Sequence, residues 1–477
     1  MTGNVLAIDQ GTSGTKAIVI CPERGVLGAA TVDLHPHYGD DGSVEIDPEL
    51  LLASVVDAGR RVLDLAGEPV AAVGLANQGE TVMAWDPATG APLTPAIVWQ
   101  DRRSAALCTE LAPHAERLAQ LTGLPLDPYF AAPKLAWLRR TLTRDGVVAT
   151  SDAWLVQRLT GAFVTDASTA SRTMLLDLDQ VAWSAEALAA FGLDGEALPD
   201  VVDCAGPVGQ TQAFGAALPL TGLVVDQQAA LLAQGCLDTG DAKCTDGTGA
   251  FLLANVGGPV RSSSGLSTSV AWRLPGTLAY CADGQVFTVA SAVRWLTDLG
   301  VITGPQDLDA LGGSVPDAAG VTFLPALAGL GAPHWRADAT GTLTGLTLST
   351  TPAHVVRALV DGIAAQVADL VLAVEADLGR RLGSLRVDGG LTRSRLLMQT
   401  QADLLQLPVQ VSATADATAL GAAALAWLGL DPSLTLAQVL AFPGLTPTAP
   451  GKVFEPQVGA DQAAERLHRY RDLLPPR

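Results

Sequence analysis

Near its start the chain reads Asp9-Gln-Gly-Thr-Ser-Gly-Thr-Lys16, which gathers a carboxylate, two glycines, three hydroxyls and an ammonium. Gly11 and Gly14 let backbone approach a ligand where a side chain would block it, and Thr12, Ser13 and Thr15 offer hydroxyl donors, a set that suits phosphate oxygens. One Asp-x-Gly-Thr turn alone reads as an ordinary polar hairpin, because short glycine patterns recur by chance. A second turn, Asp246-Gly247-Thr248-Gly249, stands about half a chain later. Two such turns argue for phosphate binding. Asp9 ends an apolar run, where it serves either as a turn residue or as a magnesium ligand acting through water, since magnesium keeps most of its waters and takes few carboxylates.

Two further segments place chemistry at strand ends. Asp388-Gly389-Gly390 follows an apolar run and precedes a helical pattern, so its glycines admit a flat ligand such as adenosine or simply end the strand. Asp226-Gln227-Gln228 follows Leu223-Val-Val225. Phosphoryl transfer needs one carboxylate placed to take the acceptor hydroxyl's proton, and Asp226 is the candidate; the alternative is a plain helix cap.

The elements that must position these residues are legible around them. Val5 to Asp9 and Lys16 to Ile20 are apolar runs joined by the Gly/Thr turn, which predicts a hairpin; Asp241 to Asp246 and Ala250 to Ala254 repeat the design. The repeat predicts two similar domains, 1–236 and 237–477. Strand-like runs alternate with helical patterns throughout, an α/β organisation, and Thr351-Pro352 predicts the start of a long buried helix running to about Asp377.

Composition narrows the class. The chain has 477 residues, 48% of them hydrophobic and 16% charged, with a formal charge of −20 and no Lys/Arg-rich run. That balance argues against a nucleic-acid or anionic-membrane surface and predicts a small ligand. Six scattered cysteines without a CxxC pair predict a reduced, cytoplasmic setting rather than zinc or disulfides. No leader-like opening and no membrane-length apolar run is present, so a soluble, unprocessed chain is expected.

Taken together, the two Asp-Gly-Thr turns, Asn77-Gln78-Gly79-Glu80-Thr81, Trp99-Gln100-Asp101-Arg102-Arg103, Asp226-Gln227-Gln228 and Gly329-Leu330-Gly331-Ala332-Pro333 resemble the FGGY carbohydrate kinase family, most nearly its glycerol kinase branch, over nearly the whole chain. Lys134-Leu135-Ala136-Trp137-Leu138 fits a further family pattern. The resemblance implies two ribonuclease H-like domains of the actin, hexokinase and Hsp70 type with a central cleft, the first domain holding the substrate and the first phosphate hairpin, the second the nucleotide. It implies an ATP- and magnesium-dependent phosphotransferase acting on a terminal hydroxyl of a small polyol or sugar, glycerol or a related short polyol favoured. By the same carry-over Asp226 is the general base, and Glu80, Trp99, Tyr129, Asp226, Gln227 and Phe251 hold the acceptor. Thr12, Ser13, Lys16, Gly247, Thr248, Gly390 and Ser394 fall at nucleotide positions, Ser394 where asparagine is usual and Ala290 where glycine is. The kinases it resembles often form dimers or tetramers, which leaves a homo-oligomer open.

Gly79 is the departure that bears on the acceptor. Glycerol kinases carry arginine there, and losing that donor predicts weaker glycerol discrimination or room for a longer acceptor. A pentulose kinase of the xylulose type is therefore the alternative. An actin- or Hsp70-like ATPase working on a protein partner shares the phosphate turns but does not call for Glu80, Trp99, Tyr129 and Gln227. A dehydrogenase would need a GxGxxG turn after the first strand, and the chain has none there.

Overall fold

The computed structural model describes residues 3–336, 338–413, 416–446 and 451–475. Its first unit comprises Met1–Gly235, Thr268–Tyr280 and Asp416–Pro447; its second comprises Cys236–Ser267, Cys281–Ala415 and Thr448–Arg477.

The first unit is built on the predicted hairpin. β1 (Asn4–Gln10) and β2 (Gly14–Cys21) pair antiparallel with Asp9 opposite Lys16, and β3 (Gly25–Asp33) pairs antiparallel with β2. Helix α1 (Pro48–Ala66) covers this ribbon; Asp47 caps it by accepting from Glu49 N. The chain then returns as β4 (Val70–Asn77), parallel to β1, and later as the antiparallel pair β5 (Ala205–Thr211) and β6 (Leu218–Val225), with β6 parallel to β4. The sheet order is β5-β6-β4-β1-β2-β3. Among the helices between β4 and β5 are α2 (Ala131–Thr141) and α3 (Ala167–Ser171), and α4 (Asp226–Ala233) follows β6 directly. Leu6, Ile8, Val55, Val62, Val73 and Leu75 form the core between α1 and the sheet.

The second unit repeats the plan. β7 (Ala242–Asp246) and β8 (Ala250–Gly257) form the second hairpin; with β9 (Thr277–Val286), β10 (Leu385–Asp388), β11 (Val409–Val411) and β12 (Val453–Phe454) they make six strands, in the order β9-β8-β7-β10-β11-β12, of a seven-stranded sheet. β7 runs parallel to β10, and β10 to β11. In both units a hairpin's first strand is thus flanked by two successive parallel strands, the ribonuclease H-like arrangement. The long helix α5 (Pro352–Leu378) starts as expected at Thr351, whose backbone N–H donates to His354 Nδ1 at 3.1 Å, and it is followed by α6 (Arg395–Leu405).

A single boundary at 236 differs from this division. The chain leaves the first unit after Gly235, but α7 (Ala417–Leu430) packs back on the first sheet and on α4. Small residues permit that approach: a Cβ on Gly74 would lie 2.2 Å from Ala422 O, and one on Gly421 would lie 2.1 Å from Ala229 O. Thr221 Oγ1 donates to Ala426 O at 2.9 Å and Trp427 Nε1 to Gly3 O at 2.9 Å. All six cysteines are free thiols. Among the described residues, no helix is long and apolar enough to cross a membrane.

Candidate active site

Three parallel strands of the first unit end together. The pairing sets Asp9 opposite Ala76, Gln10 opposite Asn77, and Val225 opposite Asn77 on the far flank. Gly11, Gln78 and Asp226 therefore leave the sheet at one carboxyl edge, where open α/β sheets collect ligands. Asp226 opens α4, and its Oδ1 accepts from Gln227 N at 2.6 Å, so Gln227 sits at the same corner.

Charge is concentrated at this edge. Burial first, and then the field of Asp226, raise the Asp9 carboxyl to about 7, against the pull of Lys16 and with Asp416 adding to the rise. Lys16 itself is ion-paired with Asp416, the residue before α7. A carboxyl whose ionised form is disfavoured by burial and by neighbouring carboxylates fits a cation-assisted site, because a divalent ion would favour that form. Among the described residues no three His, Cys, Asp or Glu side chains converge as a ready cage.

The first glycine turn is tied to an aromatic wall. Trp99 Nε1 donates to Thr12 Oγ1 at 2.9 Å; Thr12 Oγ1 in turn donates to Gln78 Oε1 at 3.0 Å, and Thr81 Oγ1 donates to the same oxygen at 3.2 Å. The Thr12 hydroxyl proton is committed inside the protein. Thr15, expected as a phosphate donor, is turned into the core, where its Oγ1 lies 2.7 Å from Ser54 Oγ. It alternates with its neighbours along β2, and the pleat points it inward. Ser13 is exposed at the tip of the turn.

Trp99 meets Tyr129 edge-on, ring centroids 5.6 Å apart, and Tyr129 meets Phe130 at 5.1 Å. Glu80 joins them from the β4 side. Its φ of 58° is the left-handed region, rare for a residue with a Cβ, and its carboxylate is held by Arg172, Nε to Oε1 2.6 Å, with both side chains 5% exposed. The Arg172 guanidinium also lies 5.7 Å from the Tyr129 ring centre and 5.2 Å from that of Phe130. Beneath this wall Lys134, fully buried, donates to the carbonyls of Pro128, Tyr129 and Phe130. Burial pushes its ammonium down to about 7, opposed by Glu80, Asp101 and Asp127.

The second unit holds the other predicted residues. Thr245 pairs with Asp388, which sets the second glycine turn beside Gly389-Gly390. Gly389 has φ 99°, and a Cβ there would lie 2.4 Å from Asp246 O, so only glycine fits. Gly247, Ala290, Gly390, Asp309 and Ser394 line a cavity of about 610 Å³. The Gly247 carbonyl accepts from Ala290 N at 3.1 Å, and the Thr248 carbonyl from Val289 N at 3.0 Å. Ser394 Oγ donates to Asp309 Oδ1 at 2.6 Å and accepts from Leu397 N as the cap of α6, so that hydroxyl already has partners within the protein. Asp246 is buried and raised to about 7, chiefly by burial, with Gln401 and Cys244 opposing and Asp388 adding. Phe251 lies on β8 opposite Thr245, in the second unit.

Comparison with known proteins assigns the chain. Residues 4–233 match the N-terminal domain, and residues 242–430 the C-terminal domain, of the FGGY family of carbohydrate kinases. The chain belongs to this family. A glycerol kinase of Aromatoleum aromaticum is 46% identical over 445 residues, covering 89% of this chain and 90% of the relative. One from Alkalilimnicola ehrlichii is 42% identical over 488 residues, covering 98% and 97%. Among solved structures, Plasmodium falciparum glycerol kinase with ADP superposes with a TM-score of 0.91 at 29% identity, covering 99% of this chain and 97% of that one. Xylulose kinase from Rhodospirillum rubrum gives 0.84 at 26% identity, covering 98% and 97%.

Within this FGGY chain, sequence reasoning passed over Arg172, Lys134 and Asp309 as contributors to the site. Arg172 stands in a run of small polar residues, and its partner Glu80 is 92 positions away. A local signal exists only for its placement: Asp166 caps α3 by accepting from Ser168 N and Thr169 N, and α3 ends at Arg172.

Proposed function

We propose that this chain is an ATP-dependent phosphotransferase that phosphorylates a terminal hydroxyl of a small polyol or sugar, glycerol or a related short polyol foremost. The observation that carries the reading is the convergence of Asp226, the Thr12 turn, Trp99 and Glu80 at one sheet edge: a carboxylate beside a turn suited to phosphate, and next to it an aromatic and acidic wall suited to a polyol. The curated relatives named above are glycerol kinases, which supports the same acceptor class.

In this reading Asp226 takes the proton of the acceptor hydroxyl, whose oxygen attacks the γ-phosphorus while the bond to the β-phosphate oxygen breaks and ADP leaves. Glu80, Gln227 and the Tyr129 hydroxyl bond the acceptor hydroxyls, while Trp99 and Phe251 cover its carbon edge. Lys16 and the turn at Thr12 and Ser13 hold phosphate in the first unit. Gly247, Thr248, Gly390 and Ser394 form the nucleotide side in the second, whose cavity is large enough for a purine. Magnesium, held through water by Asp9, would neutralise phosphate charge. A cytoplasmic setting and a homo-oligomer belong to the same proposal.

Gly79 favours a second reading, a pentulose kinase, because no side chain at 79 fills the space beside Glu80 and the xylulose kinase named above shares the fold. Screening glycerol, erythritol, longer polyols and ketoses by ADP release, with mass-spectrometric detection of the phosphorylated product, tests both. Turnover of a short polyol in preference to ketoses supports the first reading. ADP release that no small acceptor stimulates, and that yields no phosphorylated product, refutes the kinase proposal and returns the ATPase alternative.

A further inference from the structure

The acceptor wall contains a buried ion pair whose cation has no place in the mechanism above. Glu80 is 4% exposed and Arg172 is 4% exposed, and the Nε to Oε1 distance is 2.6 Å. A buried carboxylate costs free energy unless it is paired, and it faces a fixed direction only if that partner is rigid. Arginine meets both needs. Its planar group donates along a set line to Glu80 while its face lies over Tyr129 and Phe130, at 5.7 and 5.2 Å. The guanidinium therefore touches two of the proposed acceptor residues at once. Glu80 has its own reason to need such a hold, since its backbone stands at φ 58° and the preceding residue, Gly79, has no side chain to brace it.

Resting on the polyol or sugar kinase reading, we propose that Arg172 is a positioning residue for the acceptor: it aims the Glu80 carboxylate and the Tyr129 ring at the acceptor hydroxyls, and so sets affinity for the acceptor and not for the nucleotide. The local frame is built for this. Asp166 caps α3, Ser171 Oγ donates to Ser168 O at 2.8 Å, and the backbone arrives at Arg172 with φ −85°. Lysine at 172 would keep the charge but lose both the fork and the flat face.

The experiment measures KM for acceptor and for ATP separately in wild type, Arg172→Met, Arg172→Lys, Glu80→Gln and the Glu80→Gln/Arg172→Met double variant, with the surface variant Arg117→Met as control. Arg172→Met is expected to raise the acceptor KM by about tenfold or more, as removal of one member of a buried pair does, with the ATP KM changed less than about twofold. The double variant should be little worse than either single one, because the two residues act as a unit. Equal effects on both KM values, or additive losses in the double variant, overturn the proposal. Should Arg172→Met not fold, Arg172→Lys decides: a raised acceptor KM supports the role of the fork, and an unchanged one overturns it. Wild type that turns over no polyol or ketose defeats the kinase reading itself, whereas an active wild type with indifferent Arg172 variants defeats only this assignment.

Discussion

Trp99 donates its indole N–H to the hydroxyl of Thr12 at 2.9 Å, so the ring proposed to cover the acceptor is bonded to the turn proposed to hold phosphate. Any ligand that settles one group settles the other, a direct route to synergism between acceptor and nucleotide. Trp99→Phe keeps an aromatic cover and removes the donor. A neutral hydrogen bond is worth about 1 kcal/mol net. Acceptor affinity should therefore fall by a few-fold, and calorimetric titration of acceptor with and without a non-hydrolysable nucleotide should show the synergism reduced. Full synergism in a folded Trp99→Phe protein would refute the link.

In the proposed function, position 79 controls which acceptor is preferred. A Cβ built on Gly79 lies 3.0 Å from Val225 Cγ2 and meets nothing else within 4 Å. A side chain is therefore tolerated if Val225, adjacent to Asp226, shifts by a few tenths of an ångström. Gly79→Arg should raise the ratio of kcat/KM for glycerol to that for erythritol by about tenfold or more, the scale expected when a polar acceptor regains a hydrogen-bond donor. An unchanged ratio would show that the space at 79 does not set specificity.

Asp226→Asn separates chemistry from binding. The amide keeps the size of the side chain and cannot take the hydroxyl proton. General-base loss costs about 10²- to 10⁴-fold in kcat, while nucleotide affinity, measured by equilibrium titration, should stay within about threefold because Asp226 is not proposed to hold ATP. Retained turnover would remove Asp226 from the role of base.

What could be read from sequence was local. Both hairpins and the start of α5 were legible because apolar runs, glycine turns and Thr351-Pro352 lie next to one another in the chain. The pairing of Lys16 with Asp416, 400 positions apart, was not, since nothing in either neighbourhood announces the other. For the same reason α7, which lies in sequence between β11 and β12 of the second sheet, gave no sign of packing on the first. The inward turn of Thr15 was open to a stricter reading: strand alternation places it on the face opposite Lys16, toward α1 and Ser54. Arg172 stayed hidden because its function arises from Glu80 and the ring faces, none of them local to it.

The raised Asp9 carboxyl makes stability depend on pH in a stated direction. Its ordinary value is 3.8 and its value in the folded chain is about 7. Between those limits the folded form binds more protons than the unfolded one, so the contribution is fully present below about pH 4 and is lost as pH rises through 7. In metal-free buffer the melting temperature should fall from pH 5 to pH 8. Asp246, also raised to about 7, adds to the same trend. Asp9→Asn isolates the first carboxyl: its curve should be flatter, by ~2–4 kcal/mol across the range. Magnesium added with ADP should release more protons near pH 6.5 from wild type than from Asp9→Asn, visible as a larger buffer-dependent heat. A wild-type curve no steeper than that of Asp9→Asn would contradict the assignment.

Lys134 offers the sharpest separation of fold from site. Its three donors meet three consecutive carbonyls, those of Pro128, Tyr129 and Phe130, and it is 1% exposed. Lys134→Met fills the same volume and satisfies none of them. Each carbonyl left without a donor costs on the order of 1 kcal/mol or more, so a loss near ~3 kcal/mol and a lower melting temperature are expected. The carbonyls released belong to the segment that aims the Tyr129 ring at Trp99. The acceptor KM should then rise severalfold at a temperature where the variant is fully folded, while the ATP KM holds, since the three carbonyls belong to the segment proposed to hold the acceptor. Equal changes in both constants would mean that Lys134 serves stability alone.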